Sequence, residues 1–326
     1  KLKFGVFNLI KRKLYDRKIN KKLFSIKQRQ SEAFLEFQNL IPHTKKIYKA
    51  EEINELNDIF DEFVCGSDQV WTPYSGGIRP VPHKWNYYLE FTNKRKISYA
   101  ASFGADVLPK QFEEEAVKRI NNLDAISVRE ESGKEILKNN INKNIEVVLD
   151  PTMLLEEKDY KKLEIKSAFN KRYIFVYMLE KDDPCLIEYV SKISREQALD
   201  IVYLHLNNLF SGKHVHNVYG CKVGEFLWYI RNAEYVVSNS FHATVFSIIF
   251  QKKFCTFKTE KSYSRMVGLL NTLGLENRIY DKEFMIESGI NYDEVMLKLN
   301  TLRKPSVSYL IKSINGDIDR YENREN

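Results

Sequence analysis

From residue 51 onward, short runs of β-branched and aromatic residues alternate with longer stretches whose apolar positions recur every three or four residues. The short runs read as strands and the longer ones as amphipathic helices. Strands are expected at Glu62–Cys65, Ile97–Ser102, Ala125–Val128, Glu146–Leu149, Tyr173–Met178, Ile201–Leu204, Tyr235–Val237 and Phe254–Phe257. Helices are expected at Ala50–Phe60, Gln111–Leu123, Glu130–Asn139, Pro184–Ala198, Val223–Asn232, His242–Phe250 and Ser262–Leu273, with a last one near Tyr292–Leu302. Such alternation belongs to a mainly parallel sheet with helices on both faces. A boundary is expected within Asp150–Asn170, because Asp150-Pro151-Thr152 takes the chain out of regular structure and a lysine-rich stretch follows. The organisation expected is an N-terminal α/β domain over residues 1–155, a second over 165–285, and a helix with a fraying charged tail over 286–326. Two α/β domains facing a cleft would align the C-terminal ends of their strands, and hence their ligand sites, along it.

With 326 residues the chain is long enough for two cores, and its 43% hydrophobic content includes no apolar run approaching transmembrane length. The N-terminus, KLKFGVFNLIKRKL, lacks the long apolar core and small-residue cleavage site of a secretory signal, so export is not expected. Cys65, Cys185, Cys221 and Cys255 lie far apart without CxxC spacing, and the six histidines show no HExxH pairing. Neither a disulfide framework nor a metal site is expected, which fits a reducing cytoplasm. His214 and His216 alternate in SGKHVHN, which could put both on one side of an extended segment, although a loop with two solvated histidines is the preferred reading.

The net charge of +7 is unevenly spread: residues 1–30 carry eleven Lys/Arg against the single acid Asp16. Phe7, Ile10 and Leu14 recur among them at helical spacing. A basic amphipathic helix lying on an anionic membrane surface and a solvated surface helix both fit this pattern. No nucleic-acid-binding motif accompanies the charge, and no nucleic acid partner is expected.

The segment VVSNSFHATVFSIIF at 236–250 carries the most specific chemistry. An apolar strand breaks at Ser238-Asn239-Ser240 and a helix follows, with Ser238 or Ser240 as cap and His242 in the first turn. The N–H groups and dipole of a helix start suit a phosphate or carboxylate, although ordinary capping beside a structural histidine gives the same pattern. Gly66-Ser67-Asp68 ends another strand, offering close backbone approach, a hydroxyl and a carboxylate; an Asx turn closed by Asp68 above Trp71 also accounts for it. SYAASFG at 98–104 ends a third strand in small residues. Arg129, at the end of ISV, could bind an anion in two-point geometry or pair with Glu130, Glu131 or Asp150.

Taken in order, FVCGSDQVW, KISYAASFG, ISVREESG, VVLDPTMLL, VVSNSFHATVFSIIF and LLNTLGLENR make a series that closely resembles the polysaccharide pyruvyl transferase family from about Phe63 to about Arg278. The resemblance implies two Rossmann-like domains in a GT-B-like arrangement, residues 1–155 on the acceptor side and 165–285 on the donor side. It also implies transfer of the pyruvyl group of phosphoenolpyruvate, a donor substrate rather than a cofactor, onto two hydroxyls of one sugar. His242 matches the family's motif histidine, as general acid or donor to the phosphate, and Arg129 its SVRE-type arginine, binding donor carboxylate or phosphate. Gly66, Ser67 and Asp68 match GSDQVW, with Asp68 facing the acceptor.

Three departures stand out. Ser240 occupies a position where some relatives carry arginine, so the anion contact is either lost or supplied by another residue, Lys258 or Arg265. Ala243 stands where glycine is common. The family's opening strand, NYGA-type loop, helix and second strand do not precede Lys1, so the N-terminal domain reads as incomplete. The implied acceptor is a bacterial surface-polysaccharide sugar still on its lipid carrier, met at the cytoplasmic membrane face. A nucleotide-sugar glycosyltransferase and a non-catalytic binding protein of the same fold are the alternatives. The sequence does not specify an oligomeric state.

Overall fold

Strands form where the β-branched and aromatic residues cluster, and all pair in parallel. A computed structural model describes residues 24–25, 27–45, 50–72, 86–179, 183–205, 207, 209–258, 263–281, 284, 286 and 288–317. The stretch bearing Phe7, Ile10 and Leu14 and the end of the charged tail lie outside the described residues. The chain divides into two compact units, neither continuous in sequence. Residues 45–156, 258–285 and 289–326 make the first, and 1–44, 157–257 and 286–288 the second. The boundary expected within Asp150–Asn170 contains one of several crossings, between Glu156 and Glu157: residues 258–285 and the C-terminal helix group with residues 45–156, whereas 24–44 group with 157–257.

In the first unit, β1 (Glu62–Cys65) pairs with β2 (Arg95–Ser98), and β3 (Ile126–Val128) with β4 (Ile145–Val147). Isolated bridges Ile97↔Ala125 and Ala101↔Val128 join the two pairs in chain order. Helices α2 (Lys110–Ile120) and α3 (Glu131–Leu137) bury Ala116, Ile120 and Leu137 in the same core as Trp71 and Phe103. Trp71 stacks on Tyr88 at 5.7 Å between ring centroids, filling the space beneath the β1 turn. Residues Ala50–Asp58, expected as an α-helix, form a 3₁₀ helix.

The C-terminal helix, α9, runs Tyr292–Asn315, well past the expected end at Leu302 and through Pro305. Tertiary contacts carry it: Tyr309 Oη donates to Ser98 O at 3.1 Å, and Ser306 Oγ accepts from Leu149 N at 3.0 Å. Gly316, at φ +72°, closes it in the left-handed conformation that glycine adopts without strain.

The second unit holds one sheet in the order β7-β6-β5-β8-β9, from β5 (Tyr173–Tyr177), β6 (Asp200–Leu204), β7 (Val215–Asn217), β8 (Tyr235–Ser238) and β9 (Lys253–Thr256). Its direction of winding reverses between β5 and β8, the switch point at which open α/β sheets bind ligands. Flanking it are α4 (Glu157–Lys161), α5 (Pro184–Glu196), α6 (Val223–Asn232) and α7 (Phe241–Ile249). A helix at 27–38, α1, joins this unit through Tyr219 Oη to Gln30 Oε1 at 2.6 Å and Lys222 Nζ to Glu36 Oε1 at 2.8 Å.

Strand β7 replaces the preferred loop with the extended alternative at His216, while His214, just before it, stays exposed. His214 Nδ1 lies 2.9 Å from Asp200 Oδ1 and His216 Nε2 lies 2.8 Å from Asp200 Oδ2, so one carboxylate holds both rings at the sheet edge.

Candidate active site

Four strand ends of the first unit converge on an ion network. Asp150, just beyond β4, has a side chain only 1% exposed and accepts from Arg129 Nη1 at 2.9 Å and Ser67 Oγ at 3.0 Å. Its other oxygen takes Thr152 N at 3.0 Å and Thr152 Oγ1 at 2.6 Å, capping the 3₁₀ turn Pro151–Met153. Arg129, its side chain 3% exposed, also reaches Glu130 Oε2 at 3.3 Å and Asp68 Oδ1 at 4.0 Å. The structural ion pair foreseen for Arg129 is thus present, and the guanidinium is engaged by carboxylates. Glu130 accepts from Ser102 Oγ as well, and burial pushes its carboxyl above the usual range against the pull of Arg129.

Asp68 sits on the β1 turn at φ +82°, an uncommon conformation for a residue with a side chain. Its carbonyl holds Val70 N at 2.7 Å and Ser102 N at 3.0 Å, while its carboxylate is 70% exposed. Surrounding bonds hold this conformation in place, with the carboxylate facing solvent. Gly66 has nothing within 4 Å of where a side chain would begin, so the turn is open beside it.

Arg265, on α8 (Tyr263–Leu273), is buried in the same unit. With its amide oxygen turned toward Arg265, Gln69 accepts from both terminal guanidinium nitrogens at 2.8 and 2.9 Å. Burial, then the neighbouring Arg129, lower the Arg265 pKa, offset in part by Glu130 and Asp68. No described carboxylate lies within 4.0 Å of this guanidinium, in contrast to Arg129. Gly104 lets Gln69 lie there: at φ +67°, an added Cβ would come within 2.6–2.8 Å of the Gln69 side chain. Lys258 is exposed.

The second unit presents a separate constellation at its switch point. Ser238 Oγ ends β8 by donating to Tyr177 O of β5 at 2.5 Å and accepting from Ser240 N at 3.0 Å. Asn239 Oδ1 accepts from Leu179 N at 2.9 Å, tying the break to the exit of β5. Ser240 is the N-cap, its oxygen accepting from Ala243 N at 3.4 Å. Both serines are buried and their hydroxyls bond within the loop and to the end of β5. Every residue of α7 is buried except His242, which stands half-buried in the first turn. Thr244 Oγ1 bonds Ser240 O at 3.1 Å and Thr256 Oγ1 at 2.8 Å, fixing the helix start against β9.

The profile of the polysaccharide pyruvyl transferase family matches residues 7–260. The chain belongs to that family. His242, Arg129, Asp150 and the Gly66–Asp68 turn all lie within the matched span. Among solved structures, a candidate UDP-N-acetylglucosamine 2-epimerase from Listeria monocytogenes is similar in fold, with a TM-score of 0.53 at 13% identity over 82% of this chain and 78% of that one. The UDP-GlcNAc 2-epimerase of Methanocaldococcus jannaschii aligns at 14% identity over 83% and 81% of the two chains, with a TM-score of 0.49. A search of curated proteins by sequence gave no match. The fold is α/β and GT-B-like, as the motif series implied.

The sequence reading of this transferase-family member brought out Arg129, Arg265 and Asp68, which the structure gathers in one unit. It did not bring out Asp150 as the hub, or Gln69 and Ser102 as partners, although all three lie in the quoted motifs. Asp150-Pro151-Thr152 carries a signal in retrospect: an aspartate before proline at a strand end is a cap, and a buried cap carboxylate attracts a cation. Among the described residues no group of three or more His, Cys, Asp or Glu side chains is arranged to hold a metal ion. No described helix is long and apolar enough to cross a membrane.

Proposed function

We propose that the protein moves the pyruvyl group of phosphoenolpyruvate onto two hydroxyls of one sugar in a bacterial surface-polysaccharide precursor, forming a cyclic ketal and releasing phosphate. One observation carries this reading: His242 is the single side chain of α7 that is not buried, and it stands at a helix start on the switch point of a sheet. That position suits an anionic ligand and a proton donor together.

The chemistry balances as follows. The methylene carbon of the enol takes a proton and becomes a methyl group, leaving C2 cationic in character. One sugar oxygen bonds to C2, the C2–O bond to phosphate breaks, and the second oxygen bonds in its place. Of the two hydroxyl protons, one accounts for the methyl group and the other leaves on phosphate. His242 is assigned proton delivery or donation to the phosphate. Asp68 is assigned the acceptor hydroxyl, with Ser67 and Gly66 shaping its turn. Arg265, whose amide partner leaves its charge uncompensated by direct contact, is assigned an anionic group of a substrate. Arg129, neutralised by Asp150, holds that surface in place.

The purified chain with phosphoenolpyruvate and a panel of lipid-linked and free sugars should release phosphate in step with an acid-labile mass gain of one pyruvyl ketal. His242→Ala should lower the rate at least about a hundredfold while the far-ultraviolet circular dichroism is retained. Sugar transfer from a nucleotide donor, with no ketal on any acceptor, would replace this function with glycosyl transfer.

A further inference from the structure

Glu130 has no task in the proposed transfer, yet it is built into the ion network of the first unit. It stands at the N-cap of α3 and is buried, with Oε1 accepting from Ser102 Oγ and Oε2 lying 3.3 Å from Arg129 Nε. Ser102, fully buried, ties this carboxyl to the rest of the site. Its hydroxyl accepts from Gly104 N at 3.0 Å, and its backbone N–H donates to Asp68 O at 3.0 Å. Glu130 is thereby fastened to the Asp68 turn and, through Gly104, to the Gln69 partner of Arg265.

The balance of charge decides what an anion at Arg265 does to this carboxyl. Among the described residues the network sets Arg129 and Arg265 against Asp68, Glu130 and Asp150, and exposed Asp106 adds to the negative field at Arg265. Negative charge is therefore in excess before any anion arrives. An anionic group meeting the buried Arg265 adds more of it where water screens little. Asp68 is 70% exposed and hydrated, and Asp150 is held by four donors. Glu130 is the carboxyl whose ionisation burial already opposes, so it is the first to become neutral. The neutral form keeps its place, because the Ser102 hydroxyl can donate to a carboxylate or accept from a carboxylic acid.

We propose that Glu130 takes up a proton when an anionic substrate group binds at Arg265, so that this site binds an anion and a proton together. The coupling rests on the assignment of Arg265 to such a group. The proton comes from solvent, bonds to a Glu130 oxygen and returns to solvent when the anion leaves. A bound anion raises the Glu130 pKa, so affinity is greatest at low pH. It falls as pH rises between the free and bound values, by up to about tenfold per unit.

Sulfate binding to the full chain carrying His242→Ala, measured by calorimetry at constant ionic strength, tests this without any transfer reaction. The substitution removes the imidazole of the other candidate anion site, and sulfate has no proton to exchange near neutrality. Affinity should fall at least about fivefold between about pH 5.5 and about pH 8, and Arg265→Gln should abolish the binding. Glu130→Gln imitates the protonated carboxyl. It should remove the pH dependence and, at about pH 8, bind sulfate at least about threefold more tightly than the chain with Glu130, a gain that a purely structural role would not give. A second measurement needs no change at Glu130: buffers of different ionisation enthalpy should reveal net proton uptake on binding. The coupling is overturned if affinity is the same at both pH values, if no proton is taken up, or if a cooperatively unfolding Glu130→Gln variant keeps the slope or binds more weakly. Sulfate binding that survives Arg265→Gln, or no sulfate binding at all, overturns instead the assignment of Arg265 and the coupling with it.

Discussion

At Asp150 four donors meet one buried carboxylate: Ser67 Oγ, Arg129 Nη1, Thr152 N and Thr152 Oγ1. Removing the carboxylate takes away the 2.9 Å ion pair of a guanidinium whose side chain is 3% exposed. Asp150→Ala should therefore cost about 3 kcal/mol of stability, measured by urea unfolding, and Asp150→Asn less, since the amide oxygen still accepts. A second carboxylate makes a pH-dependent prediction. Burial opposes ionisation of Asp200, but bonds from His216, Lys171 and His214 outweigh it and hold the carboxyl below its ordinary value. A depressed folded pKa means that the stabilisation is present above the unfolded value, near pH 4, and is lost as pH falls through the folded one. Asp200→Asn should thus destabilise by about 1 kcal/mol at neutral pH, limited by the exposure of His214 and Lys171, and match the wild type in strong acid. Unfolding curves that stay apart by the same amount down to about pH 2 would reject the linkage.

Helix α6 shows how closely elements of the second unit approach. A Cβ on Gly224 would lie 2.4 Å from Leu163 O, 2.7 Å from Ile165 Cγ1 and 2.9 Å from Ile165 N, so backbone, not a movable side-chain tip, blocks it. Gly224→Ala should cost about 2 kcal/mol or more in unfolding experiments, although alanine is the better helix former. The strands buried on both faces were legible in the sequence to within a few residues, because runs such as YIFVY and EYVVS leave little choice. Strand β7 was legible only as an alternative: the alternation of His214 and His216 allows an extended segment, but three residues with one apolar position carry a weak signal, and pairing with β6 decides it. The length of α9 was hidden for a related reason. Pro305 argues locally for a stop, and Tyr309 and Ser306 overrule it through contacts with β2 and Leu149. Local geometry divided the same way: the place of His242 in the first turn of α7 followed from strand-break-helix grammar, whereas the pairing of Arg129 with Asp150 joins residues 21 apart and left its partner undecided.

The two units are woven from alternating stretches of chain, so no single cut in the sequence separates them. Helix α9 supplies Tyr309 to a cluster with Ile97, Tyr99, Ala100, Ala125 and Val148, all in the first unit. It also supplies Arg303, whose Nε donates to Met153 O at 2.9 Å. Each large apolar side chain buried this way contributes about 1.5–3 kcal/mol, a sizeable part of the net stability of a domain. Arg265 on α8 reaches Gln69 from a stretch more than a hundred residues beyond the first unit's last strand, so the same cut would also dismantle the candidate site. Residues 1–155 made alone should consequently bind a hydrophobic dye and unfold without a cooperative transition, even though this piece contains the four described strands of the first unit. Supplying residues 258–326 as a separate chain should restore cooperativity in part. A sharp, reversible transition from residues 1–155 alone would show instead that a single boundary near residue 156 is sufficient, and that the C-terminal helix decorates a core already complete.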